Sequence, residues 1–115
     1  MSNRITRVNE LLQREISEQL HRYFGGKESV RITISEVDTS SDLRHCKIYY
    51  SVLGDTQNAI ESEAFFRRIG KELRERVMKC VVLKYFPRFE FIYDPSMERG
   101  AKLVELLDQL DNEND

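Results

Sequence analysis

The feature that most constrains the fold of this chain is the order in which its hydrophobic period changes. Two runs, at residues 30–37 and 45–52, alternate with period two. A long run of helical period follows from about 57 to 84, and alternation returns over 88–94. Two strands joined by a short polar turn form an antiparallel hairpin. Two strands joined through a helical crossover become parallel neighbours, with a right-handed connection. The arrangement that meets both conditions is a three-stranded sheet in the order 1-2-3, with the helices packed on one face.

Each segment carries its own signals. In the first run Val30, Ile32 and Ile34 point one way and Arg31, Thr33 and Ser35 the other. Asp38-Thr39-Ser40-Ser41-Asp42 is a polar turn cluster. In the second run Cys46, Ile48, Tyr50 and Val52 oppose His45, Lys47, Tyr49 and Ser51, and Gly54-Asp55 closes the strand. In the third, Phe89, Phe91 and Tyr93 alternate with Arg88, Glu90, Ile92 and Asp94, and Pro87 marks the end of the helix before it. Ahead of the strands, Ile5, Val8, Leu11, Leu12, Ile16 and Leu20 predict a helix over 3–23, capped by Ser2 or Asn3 and stopped by Gly25-Gly26.

The crossover helix has an apolar stripe of Ile60, Phe65 or Phe66, Ile69, Leu73, Val77, Cys80 and Val81. Gly70 interrupts it, which predicts a bend or a break into two helices there. Ser96 is placed to cap a last helix over about 96–110, with Met97, Ala101, Val104, Leu107 and Leu110 as its contacts. The expectation is an α+β fold, α-β-β-α-(bend)-α-β plus a C-terminal helix. That is the topology of the type II K-homology domain. It forms one domain over 1–111 with a short acidic tail at 112–115.

The formal net charge of −2 conceals an asymmetry. Residues 64–88 hold eight basic side chains against Glu72 and Glu75, whereas 94–115 hold seven acids against Arg99 and Lys102. A polyanion responds to the local field, so the basic segment is the candidate contact. Lys and Arg neutralise phosphates and release counterions. On that ground Arg67, Arg68, Lys71, Arg74, Arg76 and Lys79 are the first candidates for RNA binding. Arg4 and Arg7 on the first helix and Arg88 at the third strand come second. The bland alternative is a solubilising outer face on an amphipathic helix.

Other chemistry is sparse. Tyr49 could stack a base or could be an ordinary sheet-surface tyrosine. Phe89, Phe91 and Tyr93 read as core. Asp42 and His45 lie near a turn with no nucleophile or third partner, so no catalytic residue is assigned. Cys46 and Cys80 both sit in apolar patterns and read as buried small hydrophobes. With His21 and His45 they make no zinc spacing, and no metal or cofactor is expected. There is neither an apolar run of membrane-spanning length nor a signal-peptide stretch, so a cytoplasmic protein is expected. The C-terminal acids either repel surplus phosphate or form a solvated end.

Nearly the whole chain resembles the ribosome-binding factor A family. The segment Lys84–Gly100 is similar to its third-strand region. Arg4, Arg7 and Val8 match its start. Val30, Thr33, Ile34, Val37, Ser41, Asp42, Leu43, Lys47, Ile48, Tyr49 and Ser51 match its hairpin, followed by Leu53-Gly54. Pro87, Phe91, Asp94, Ser96, Glu98, Gly100 and Leu106-Leu107 match its last strand and helix. A Gly-x-x-Gly phosphate clamp is absent. The family implies an Ala-x-Gly helix break instead, with Arg68 standing here at the alanine position and Gly70 at the glycine.

The resemblance implies a non-enzymatic factor that binds the immature small ribosomal subunit and its RNA. It also implies assistance to late maturation and 5′-end processing of that RNA, and a releasing GTPase as a further partner. No membrane partner is implied, and a monomer is expected. A general RNA-binding module, or a protein–protein adaptor using the basic helix, are the alternatives.

Overall fold

The structure, a computed structural model, describes residues 3–95. The expected closing helix at 96–110, its Ser96 cap and the acidic tail lie outside the described residues.

Helix α1 (Asn3–Tyr23) buries Val8, Leu12, Ile16 and Leu20, one residue per turn, against the sheet. It stops at Gly25-Gly26, where Gly26 takes a φ of +143°, open to glycine but strained for other residues. A single turn, α2 (Lys27–Val30), then leads into β1 (Ile32–Thr39). Val30 therefore belongs to the entering turn and not to the strand, and it is 80% exposed. The His21 ring links these pieces, within hydrogen-bond distance of the carbonyls of Ser17 (2.9 Å), Ser29 (3.1 Å) and Ile32 (3.1 Å).

β1 pairs antiparallel with β2 (His45–Val52), from Ile32 opposite Val52 to Thr39 opposite Cys46. The register slips between Ile34 and Glu36. This bulge turns both Ser35 and Glu36 outward and returns Val37 to the core, so the buried set is Ile32, Ile34, Val37 and Thr39. β3 (Arg88–Tyr93) pairs parallel with β2, from His45 beside Arg88 to Tyr50 beside Tyr93, giving the order β1-β2-β3 expected from the crossover.

The crossover is one helix, α3 (Thr56–Cys80). Asp55 caps it, its side chain accepting from the Asn58 amide (3.1 Å) while the Asn58 side chain accepts from the Asp55 amide (3.2 Å). Of the bend or break expected at Gly70, the break does not occur: the backbone is helical throughout. Gly70 instead serves the packing of α3 on β3, since a Cβ there would lie 3.4 Å from the Phe91 ring. The helix ends at Cys80, short of the expected 84. Val81 is already extended, with its N–H still bonded to the Val77 carbonyl (3.0 Å).

The buried face of α3 is Ser62, Phe65, Phe66, Ile69, Leu73 and Val77. Both phenylalanines are inside. Ile60 is 56% exposed, and Ser62 takes the inward place with its hydroxyl bonded to the Asn58 carbonyl (2.8 Å). Of the two cysteines only Cys46 is buried, and burial pushes its thiol up to about 11. Cys80 is exposed on the helix flank, contrary to the sequence reading, and accepts from Gln19 Nε2 (3.3 Å). Residues from α1, α3 and all three strands form a single hydrophobic cluster on one face of the sheet. Phe66 stacks on Phe91 at 4.4 Å and touches Tyr50 at 4.5 Å, which locks α3 over β2 and β3.

Candidate nucleic-acid interface

The basic residues of α3 do not act as one face. Lys71 and Arg74 flank β3, and with Phe66, Gly70, Arg88, Phe89 and Phe91 they line a cavity of about 640 Å³. Beside it lies a second cavity of about 540 Å³, lined by Arg44, His45, Arg74, Lys84, Tyr85, Phe86 and Arg88. Arg74 and Arg88 belong to both, so the two depressions form one groove. Among the described residues, five cations and one histidine line it, and no carboxylate does. In a chain with more acids than bases, the groove thus gathers positive charge in one place.

The groove is assembled by long-range pairing. Parallel pairing sets His45 beside Arg88, and the Arg88 amide donates to the Arg44 carbonyl (2.9 Å). The turn before β2 aims Arg44. Its Asp42 carboxylate accepts from the Ser40 hydroxyl (2.6 Å) and the Arg44 amide (3.1 Å), and Leu43 sits at φ +60°. The hydrogen bond from Ser40, then that from the Arg44 backbone, holds the Asp42 carboxyl below its usual range. Arg74 braces the other wall. Its guanidinium donates to the carbonyls of Pro87 (2.9 Å) and Phe86 (3.1 Å), which fixes the connector between α3 and β3. These bonds use two of its five N–H donors.

The remaining sequence candidates are placed differently. Arg67 pairs with Glu63 (3.5 Å) and lines a smaller depression with Tyr50, Phe66 and Phe91. Tyr50 is itself held there by burial, which pushes its phenol up to about 12. Arg76 pairs with Glu72 (3.6 Å) and lies 4.1 Å over the Tyr23 ring, so it packs α3 against the end of α1. Arg68 lies 5.6 Å over Phe65. Helical spacing sets Arg68 and Lys79 further round, away from β3. Arg4 and Arg7 are exposed at the start of α1, which contributes nothing to the groove. Tyr49 is on the open face of the sheet, between Glu36 and Ile92.

Sequence reasoning overlooked Arg44 and did not select Lys84. The signal that could have found them was the parallel pairing, which brings the start of β2 against the start of β3. Among the described residues no cluster of His, Cys, Asp and Glu is arranged to hold a metal, and no helix is long and apolar enough to cross a membrane.

Fold and groove together define a small α+β domain with a three-stranded mixed sheet and a cationic groove. The sequence profile described as ribosome-binding factor A matches residues 4–107. A ribosome-binding factor A of Opitutus terrae is 40% identical over 98% of this chain and 92% of its own length. That of Nitrosococcus oceani is 35% identical over 93% and 84%. The chain belongs to the ribosome-binding factor A family.

Solved structures agree on the fold. The crystal structure of the Thermus thermophilus ribosome-binding factor A superposes with a TM-score of 0.66 at 18% identity, covering 77% of this chain and 94% of that one. A homology model of the Thermus thermophilus ribosome-binding factor A, fitted into a cryo-EM map of its 30S complex, superposes with a TM-score of 0.58 at 18% identity, covering 74% and 89%.

Proposed function

We propose that this chain is a non-enzymatic assembly factor that binds the immature small ribosomal subunit through its ribosomal RNA. The observation that carries the reading is the groove of Lys71, Arg74, Arg88, Arg44 and Lys84, which no carboxylate among the described residues lines. Family membership adds support, as does the 30S complex for which the Thermus thermophilus homologue's coordinates were fitted. The factor acts in the cytoplasm as a monomer, assists late maturation and 5′-end processing of the small-subunit RNA, and is released by a GTPase before translation.

The mechanism follows from differential binding. A rigid cationic groove stabilises the RNA conformation whose phosphates fit it, and shifts the immature subunit toward that conformation by its excess affinity for it. The aromatic floor of Phe66, Phe89 and Phe91 belongs to the core, so the groove keeps its shape.

Co-sedimentation with isolated small subunits, large subunits and assembled ribosomes across a salt series tests this. Selective, salt-sensitive binding to small subunits is expected. Charge reversal at Lys71 and Arg88 should weaken it and lower the salt slope by roughly one per lost phosphate contact. Equal binding to all particles would instead indicate a general RNA-binding module. Binding insensitive to salt and to both reversals would indicate a protein adaptor.

A further inference from the structure

At the end of the sheet where β2 and β3 both begin, the groove changes character. Arg44, Lys84 and Arg88 meet there around Tyr85 and Phe86. None of the three cations takes part in the ion pairs among the described residues. Tyr85 is 49% exposed, with the Arg44 guanidinium 5.3 Å and the Lys84 ammonium 5.6 Å from its ring centre. The connector that carries Tyr85 is not free to swing away, because Arg74 holds the carbonyls of Phe86 and Pro87 and Pro87 is fully buried. A half-exposed ring is thus carried on an anchored connector beside cations that form no ion pair with another described residue.

Charge alone would serve a duplex, whose phosphates lie on a convex surface. A half-exposed ring lining a cationic depression serves a different ligand. In a duplex the base faces are stacked and out of reach, whereas an unpaired nucleotide offers a phosphate and a free base face side by side. Resting on the RNA reading above, we propose that this pocket seats one unpaired nucleotide of the bound RNA. Its phosphate is held by Arg44, Lys84 and Arg88, and its base is laid on Tyr85. The adjoining part of the groove, along Lys71 and Arg74, then takes the backbone of the neighbouring helix. The chain recognises a junction where a strand leaves a duplex.

Fluorescence anisotropy with two RNAs tests this: a hairpin with a single-stranded tail and the same hairpin with a blunt end. The wild-type chain should bind the tailed hairpin about tenfold more tightly, the scale of one base stacked on an aromatic ring. In Tyr85→Ala the ratio should fall towards one, and in Tyr85→Phe it should persist. Arg44→Gln with Lys84→Gln should weaken tailed binding and reduce its salt slope by about one to two. Unchanged circular dichroism spectra exclude misfolding as the cause.

Equal wild-type binding to both RNAs, or a preference that survives Tyr85→Ala, overturns the proposal. Sedimentation with small subunits on the same preparations separates it from the parent reading. Small-subunit selectivity without a tail preference defeats the pocket alone. A tail preference without small-subunit selectivity defeats the parent reading alone.

Discussion

Replacing Gly70 by alanine tests whether the glycine is there for helix geometry or for packing. The position is helical, and its φ is not in the left-handed region. A helical glycine costs about 1 kcal/mol relative to alanine. The added Cβ would meet Phe91 Cε2 at 3.4 Å and Cδ2 at 3.9 Å, a contact at the tight end of ordinary packing. Part of the gain is therefore offset, and a net stabilisation of about 0.5–1 kcal/mol is expected. For a domain of this size that raises Tm by roughly 2–8 °C. Gly70→Val adds two further carbons toward the Phe91 ring and should cost about 1–3 kcal/mol by overpacking. Urea unfolding followed by circular dichroism reads both variants as shifts of midpoint at constant slope. Destabilisation of Gly70→Ala by more than about 1 kcal/mol would refute the reasoning, because a helical position without positive φ should accept a Cβ that meets only ordinary contacts.

Three further outcomes follow from the geometry. Gly54→Ala should destabilise by about 1–3 kcal/mol in the same unfolding assay, since Gly54 has a φ of +131° and a Cβ there would stand 2.6 Å from Asn58 Oδ1 of the capping box. Arg74→Met should cost about 1–2 kcal/mol by removing two hydrogen bonds from a guanidinium, whereas Arg67→Met, at an exposed ion pair, should change stability by less than about 0.5 kcal/mol. Equal losses for the two would contradict the bracing role of Arg74. The Asp42 carboxyl titrates below its ordinary value in the folded chain. Its contribution to the turn is therefore complete above the unfolded value of about 3.9 and is lost as pH falls through the lower, folded one. The Arg44 amide resonance should move with a midpoint below 3.8, and Asp42→Asn should abolish that step.

The architecture was legible because it rests on local patterns and on one rule of connection. Alternation marked all three strands, helical spacing marked Val8, Leu12, Ile16 and Leu20, and the crossover made β3 parallel to β2. Local patterns misled where a neighbour decides. Val30 continues the period of β1 but lies in the turn that feeds it. Val37 breaks the period yet is buried, because the bulge at Ser35-Glu36 resets the strand. Cys80 fits the helical stripe but is exposed at the helix end.

The candidate site shows the same division. The sequence by itself determined that α3 is basic and that a strand beginning at Arg88 follows it. It could not say which cations share a groove. Only the tertiary structure placed Lys71, Arg74 and Arg88 with Arg44 and Lys84, and drew Arg76 off to Tyr23 and Glu72. It also set Gly70, expected at a bend or break, inside one continuous helix and against Phe91. Hydrophobic period and turn chemistry act between residues a few positions apart, so they are written along the chain. The groove exists only where β2 and β3 pair across about forty residues of chain, and no local signal records which side chains that pairing brings together.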